Sequence, residues 1–147
     1  MTVIEEKSII KAPTEQVWNF ITEPDNFSKY ILGYIEGKIL SANKTGMNSE
    51  FEWYTKFWGR KFKSVEKVTE WIENQKVAYH GYLSGAKFWS QMAVNKVDSH
   101  TELTVTINYK MPYFILGSLL NLLYFKRRVR KEVKYSLQKI KQFLDLN

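Results

Sequence analysis

The sequence predicts an α+β fold: a curved antiparallel sheet of six to seven strands, two short helices after the first strand, and a long C-terminal helix lying across the sheet. Three observations lead there. From Gly33 to Met111 no helical period exists, only aromatic and β-branched runs divided by turn residues. Val129, Val133, Leu137, Ile140 and Leu144 then form a one-sided apolar stripe at spacings of four and three, as an amphipathic helix requires. The chain has 147 residues, 44% hydrophobic and 25% charged, which suits one domain over residues 1–147 with a single core.

Val3 to Lys11 reads as a strand that stops at Ala12-Pro13. Thr14 to Thr22 reads as a helix, with Val17 and Ile21 one turn apart, Trp18 beside them and Glu15 favouring the dipole in the first turn. It ends at Glu23-Pro24, because the residue before proline is pushed out of the helical region. A short helical turn over Asp25 to Tyr30 follows. Six strands come next, broken near Asn43-Lys44-Thr45-Gly46, Gly59-Arg60, Asn74-Gln75, Ser84-Gly85 and Ser99-His100. The last helix, from about Leu119 to Leu146, would be on the order of 40 Å long, enough to cross a whole sheet.

Residues opposite one another in an antiparallel hairpin share a face, so the turns carry one face from strand to strand. Leu103, Val105, Ile107, Tyr109 and Met111 alternate with Glu102, Thr104, Thr106, Asn108 and Lys110, which sets the first group inward. The same phase turns Phe88, Ser90, Met92 and Val94 inward, then Val77, Tyr79, Gly81 and Leu83. It continues with Phe62, Ser64, Glu66, Val68, Glu70 and Ile72, and ends with Phe51, Trp53, Thr55 and Phe57. The opposite face, with Glu52, Lys56, Lys61, Lys63, Lys67, His80, Gln91, Asn95, Thr104, Thr106 and Asn108, suits water. A bulge in any hairpin would flip part of this assignment.

Polar residues interrupt the inner face: Thr55, Ser64, Glu66, Glu70, Tyr79, Ser90 and Tyr109. Buried polar groups need partners, and a buried carboxylate needs a strong one or a raised pKa. A cavity holding a polar-ended ligand would satisfy them. The alternative is that Glu70 reaches water near a strand end and that Glu66 is tied to a neighbouring Tyr or Lys.

Composition narrows the chemistry. There is no Cys and only His80 and His100, so disulfides, thiolate zinc sites, Cys nucleophiles and multi-histidine metal centres fall away, and neither a metal nor a cofactor is expected. The N-terminus lacks the basic and apolar regions of a signal peptide, which points to a soluble, cytoplasmic protein. The net charge of +7 is local: Lys126 to Lys141 holds eight basic residues against the single acid Glu132, and the rest of the chain carries 14 of each sign. These bases either form the solvated face of the helix or meet an anionic membrane.

The motifs occur in an order that resembles a known family. Ile10-Lys11-Ala12-Pro13-Thr14-Glu15-Gln16-Val17-Trp18 is followed by Glu23-Pro24-Asp25-Asn26, then Gly46 with Phe51 and Trp53, Val68-Thr69-Glu70-Trp71, Thr101, and the long terminal helix. The set is similar to the START-like SRPBCC superfamily, especially its polyketide cyclase/dehydrase-like branch, with Glu23 where that family more often has Asp. The resemblance implies the helix-grip fold, a bent sheet wrapped around the C-terminal helix with a hydrophobic tunnel between them. That fold hosts lipid carriers, hormone and allergen-type binders, cyclases and quinone-binding proteins, so it leaves function open.

The expected function is binding of a hydrophobic or amphipathic small molecule (lipid, isoprenoid, quinone or polyketide-like) between sheet and C-terminal helix. Phe51, Trp53, Met92, Val105, Ile107, Val129 and Val133 would wall the cavity. Thr55, Glu66, Tyr79, Ser90 and Tyr109 would orient a polar end. An enzyme of cyclase or dehydratase type would use Glu66 as general acid or base in the same cavity. Tyr113 to Phe125 has ten apolar residues of thirteen and abuts Lys126-Arg127-Arg128. This segment is too short to span a bilayer, so either it closes one end of the cavity, with Phe114, Leu116, Leu119, Leu120 and Leu123 against Trp18 and Gly117 as a hinge, or it lies in a membrane surface. In the second case Arg127, Arg128, Arg130 and Lys131 are the lipid contacts. Outward Tyr54, Trp58, Tyr82 and Trp89 near Lys56 and Lys87 could stack nucleic-acid bases, but the basic cluster lies elsewhere and gives them no continuous track.

Overall fold

The β-branched N-terminal run forms β1 (Thr2–Ile10), and Pro13, extended at φ −62° and ψ 149°, starts α1 (Thr14–Thr22). These belong to a computed structural model that describes residues 2–57, 59–83, 86–110 and 119–145. A 3-10 turn at Pro24–Asn26 leads into the one-turn α2 (Phe27–Tyr30). The strands β2 (Tyr34–Ile39), β3 (Glu50–Phe57), β4 (Arg60–Ile72), β5 (Lys76–Leu83), β6 (Ala86–Val97) and β7 (His100–Tyr109) follow, and α3 (Leu119–Leu144) closes the chain. All seven strands form one antiparallel sheet in the order β1-β7-β6-β5-β4-β3-β2. With α3 on its concave side this is the helix-grip arrangement.

Register confirms most of the inner face: Trp53 opposes Ser64, Glu66 opposes Gly81, Tyr79 opposes Ser90 and Met92 opposes Val105. Two of the turns sit one residue earlier than expected, between Phe57 and Arg60 and between Val97 and His100, which preserves parity. Asp98 and Gly59 take the left-handed conformations there, at φ 54° and 70°.

The β4–β5 hairpin corrects the sequence reading. Its loop has three residues, Glu73, Asn74 and Gln75, with Asn74 left-handed at φ 58° and Gln75 N–H donating to the Ile72 carbonyl at 2.9 Å. The additional loop residue inverts parity next to the turn, and a bulge between Val68 and Glu70 restores it further along. Glu70 and Ile72 therefore face outward, Glu70 pairing with Lys76 at 2.9 Å, and Trp71 turns inward against the Trp18 ring, centroids 5.1 Å apart. Glu52 keeps its outward parity but not its exposure: it is 8% exposed, held by Lys63 at 3.1 Å, Lys38 at 3.5 Å and the Tyr54 hydroxyl at 3.0 Å.

The C-terminal half of α3 is latched to β1 and to its exit. Lys141 Nζ donates to the Ile9 carbonyl at 3.0 Å, and Lys11 N–H donates to Asp145 Oδ1 at 2.8 Å. Beneath this latch Leu137, Ile140 and Leu144 are buried with Ile4, Ile10, Val17, Trp18 and Leu103. Thr101 Oγ1 donates to the Ala12 carbonyl at 2.8 Å and fixes the strand-to-helix corner at the same end. Dense packing thus occupies one end of the sheet, and space remains at the other.

Candidate functional site

That space is a cavity of about 230 Å³ between the inner faces of β3 to β7, α2 with the residues after it, and the N-terminal half of α3. Its walls are Trp53, Met92, Val105, Ile107, Val129 and Val133, joined by Phe27, Ile31, Phe88 and Phe125. The polar groups are Thr55, Ser64, Glu66, Tyr79, Ser90 and Tyr109. Every wall and polar-end residue expected from the sequence lines this space except Phe51. Phe51 is core, 4% exposed, with its ring edge-on to Phe27 at 5.4 Å, one layer behind the cavity.

Glu66 defines the chemistry. It is 6% exposed, and it makes no hydrogen bond or ion pair with any described residue, so burial alone pushes its carboxyl from the ordinary 4.5 up to about 8. At neutral pH it is a carboxylic acid, a hydrogen-bond donor in a largely apolar space. Tyr79 is pushed well above the usual phenol range by burial and then by the nearby Glu66. Tyr30 is raised for the same first reason, and its hydroxyl is committed to the Ile21 carbonyl at 2.8 Å. Glu66 and Tyr79 therefore face the cavity as donors without a partner among the described residues, alongside the hydroxyls of Thr55, Ser64 and Ser90.

Sequence reasoning missed a second carboxylate. Glu132 and Ser136 lie beside Val129 and Val133 on α3 and line the cavity. Burial raises the Glu132 pKa, opposed by Arg128, whose Nε lies 3.3 Å from Oε1. The signal was present: Glu132 is the lone acid in the basic segment and falls three residues after Val129, on the apolar stripe. Ser136 Oγ donates to the Tyr30 carbonyl at 2.7 Å, tying α3 to α2. Phe27, Tyr30, Ile31 and Leu32 were also missed as lining residues, because a one-turn helix carries no periodicity to show its inner side.

The basic residues of α3 divide. Arg130 pairs with Glu6 of β1 at 2.6 Å, and Arg128 with Glu132, so both are engaged within the fold. Arg127 and Lys131 are exposed one turn apart, with exposed Leu123 a further turn toward the helix start. Met111 and residues 113–118, with Phe114, Leu116 and Gly117, lie outside the described residues, as do the Leu119 and Leu120 side chains, Trp58 and the Ser84-Gly85 turn. On the outer face His80 stacks on Trp89 at 5.0 Å and Tyr82 at 6.0 Å, and Lys61 covers the Tyr54 ring at 4.4 Å. Among the described residues no group of three or more acidic or histidine side chains could hold a metal, and no helix is long and apolar enough to cross a membrane.

With this geometry the comparisons with known proteins agree. Residues 1–144 match the family described as polyketide cyclase / dehydrase and lipid transport, and the chain belongs to that family. No curated protein sequence matches at a significant level. Among solved structures, a protein of Thermus thermophilus is similar at a TM-score of 0.82 and 16% identity, over 96% of this chain and 95% of that one. The Zhui aromatase/cyclase of Streptomyces sp. R1128 is similar at 0.79 and 13% identity, over 96% and 92%. A START superfamily protein of Mycobacterium smegmatis is similar at 0.74 and 12% identity, over 96% and 98%. At these identities the likeness is one of fold.

Proposed function

We propose that the protein acts in the cytoplasm by binding a hydrophobic or amphipathic small molecule, of lipid, isoprenoid, quinone or polyketide-like character, between the sheet and α3. One observation carries this reading: a partnerless, protonated Glu66 beside the free Tyr79 hydroxyl in a cavity whose walls are mainly apolar. A buried donor without an acceptor is costly, and a ligand carbonyl or hydroxyl would satisfy it. Native mass spectrometry of freshly purified protein, with solvent extraction of what is released, tests it. A stoichiometric apolar compound supports the reading; an empty protein that also takes up no apolar compound rejects it.

A second reading has its own support. An acid with a pKa of about 8 is matched to proton transfer near neutral pH, so Glu66 would serve a cyclase- or dehydratase-type reaction as general acid or base. Glu66→Gln separates the two: an enzyme keeps binding and loses turnover, whereas a carrier shows no turnover to lose. Peripheral contact with anionic membrane, through Arg127 and Lys131 beside exposed Leu123, would let a carrier exchange its cargo.

A further inference from the structure

The cavity reaches the surface where the strands end, at Lys56 of β3, Leu83 of β5, Ala86 of β6 and the residue after β7, Lys110. Three lysines border this mouth: Lys56, Lys87 and Lys110, all exposed. Residue alternation points their stems to the outer face of the strand ends, one position from the inner Thr55, Phe88 and Tyr109, and a four-carbon stem is long enough for each ammonium to bend back to the opening. They differ from the other lysines of this region. Lys61 pairs with Glu36 at 3.0 Å, Lys63 with Glu52 at 3.1 Å and Lys67 with Glu50 at 3.7 Å. None of the three rim lysines has an acid partner among the described residues. The two acids in the lining do not neutralise them: Glu132 is taken by Arg128, and Glu66 lies on the floor and holds its proton. The mouth therefore carries about three uncompensated positive charges above an apolar, hydrogen-bonding interior.

We infer that the ligand is an anionic amphiphile, with an apolar body in the cavity, an acceptor atom at Glu66 and Tyr79, and a carboxylate, sulfate or phosphate at Lys56, Lys87 and Lys110. The inference rests on the small-molecule reading above and adds the ligand's charge and its orientation. A cationic amphiphile, for which a buried glutamate would otherwise be the natural counter-ion, is repelled at the mouth and finds no unpaired negative charge among the described lining residues, since Glu132 is paired with Arg128. Field focusing by a low-dielectric cleft makes the same lysines speed capture of an anion.

Two fluorescent probes that share one ring system test this: 8-anilino-1-naphthalenesulfonate, which is anionic, and N-phenyl-1-naphthylamine, which is neutral. The wild type should bind the anionic probe roughly tenfold tighter at about 20 mM salt and lose most of that preference at about 0.5 M. The triple variant Lys56→Gln, Lys87→Gln, Lys110→Gln should lose the preference and bind the neutral probe as the wild type does. Ser90→Phe, which fills the cavity, should abolish both signals. Equal binding of the probes by the wild type overturns the inference and leaves the cavity reading standing. So does an equal loss of both in the triple variant. Binding of neither probe, or binding that survives Ser90→Phe, removes the cavity reading and this inference with it.

Discussion

Glu66 and Gly81 oppose one another across β4 and β5, and a Cβ placed on Gly81 would lie 2.8 Å from Glu66 Cγ. The same atom would fall 2.9 Å from Phe88 Cζ and 2.5 Å from the Val65 carbonyl oxygen. Glycine inside a strand weakens it, and here it marks the place where a carboxylate and an aromatic ring both lie down against the sheet. Gly81→Ala is expected to cost about 1–3 kcal/mol by overpacking and to displace Glu66 from the cavity floor. Urea unfolding measures the first and ligand uptake the second. A cost below about 0.5 kcal/mol would mean that the strand pair yields to the methyl group.

The buried state of Glu66 makes stability depend on pH in a defined direction. Folding raises its pKa from 4.5 to about 8, so between these values the native state keeps a proton that the unfolded chain has released. Stability is then highest below the lower value, falls as pH rises through the window and levels off above about 8, by on the order of a few kcal/mol from this residue. Glu66→Gln removes the dependence. The variant should gain on the wild type as pH rises from 5 to 8, in urea unfolding at several pH values, and an unchanging difference would show that the native carboxyl titrates normally.

Most of the fold was legible because alternation along β6 and β7 is strict and because parity survives when a two-residue turn slides by one position. The site was legible for the same reason: Trp53, Glu66, Tyr79, Ser90 and Met92 are placed by parity alone. The failures have local causes. Asn74 supports either a two- or a three-residue loop, and nothing in Val68-Thr69-Glu70 announces the bulge that compensates for the longer one. Phe51 shares a face with Trp53, but depth behind that face depends on α2, which parity does not describe. The bulge is testable. Trp71→Ala should cost about 2–4 kcal/mol through the lost packing on Trp18, and Ile72→Ala under about 1 kcal/mol, since Ile72 is 40% exposed. The reverse order would restore the unbulged register.

The basic residues of α3 divide into two jobs, and charge reversal separates them. Arg130 reaches Glu6 on the inner-facing side of β1, where both side chains are partly shielded, at 41% and 21% exposure. Its reversal to Glu sets like charges against each other at the helix–sheet seam and should lower stability by about 1 kcal/mol or more. Arg127 and Lys131 touch no acid among the described residues and share an exposed strip with Leu123. Arg127→Glu with Lys131→Glu should leave the melting temperature within a degree or two while weakening sedimentation with phosphatidylserine vesicles. The wild-type association should itself fall as salt is raised, at about 1 kcal/mol per basic residue near the surface. Vesicle binding that is unchanged in the double variant, or absent from the wild type in low salt, would leave these bases as a solvated helix face and the cavity would have to load from water.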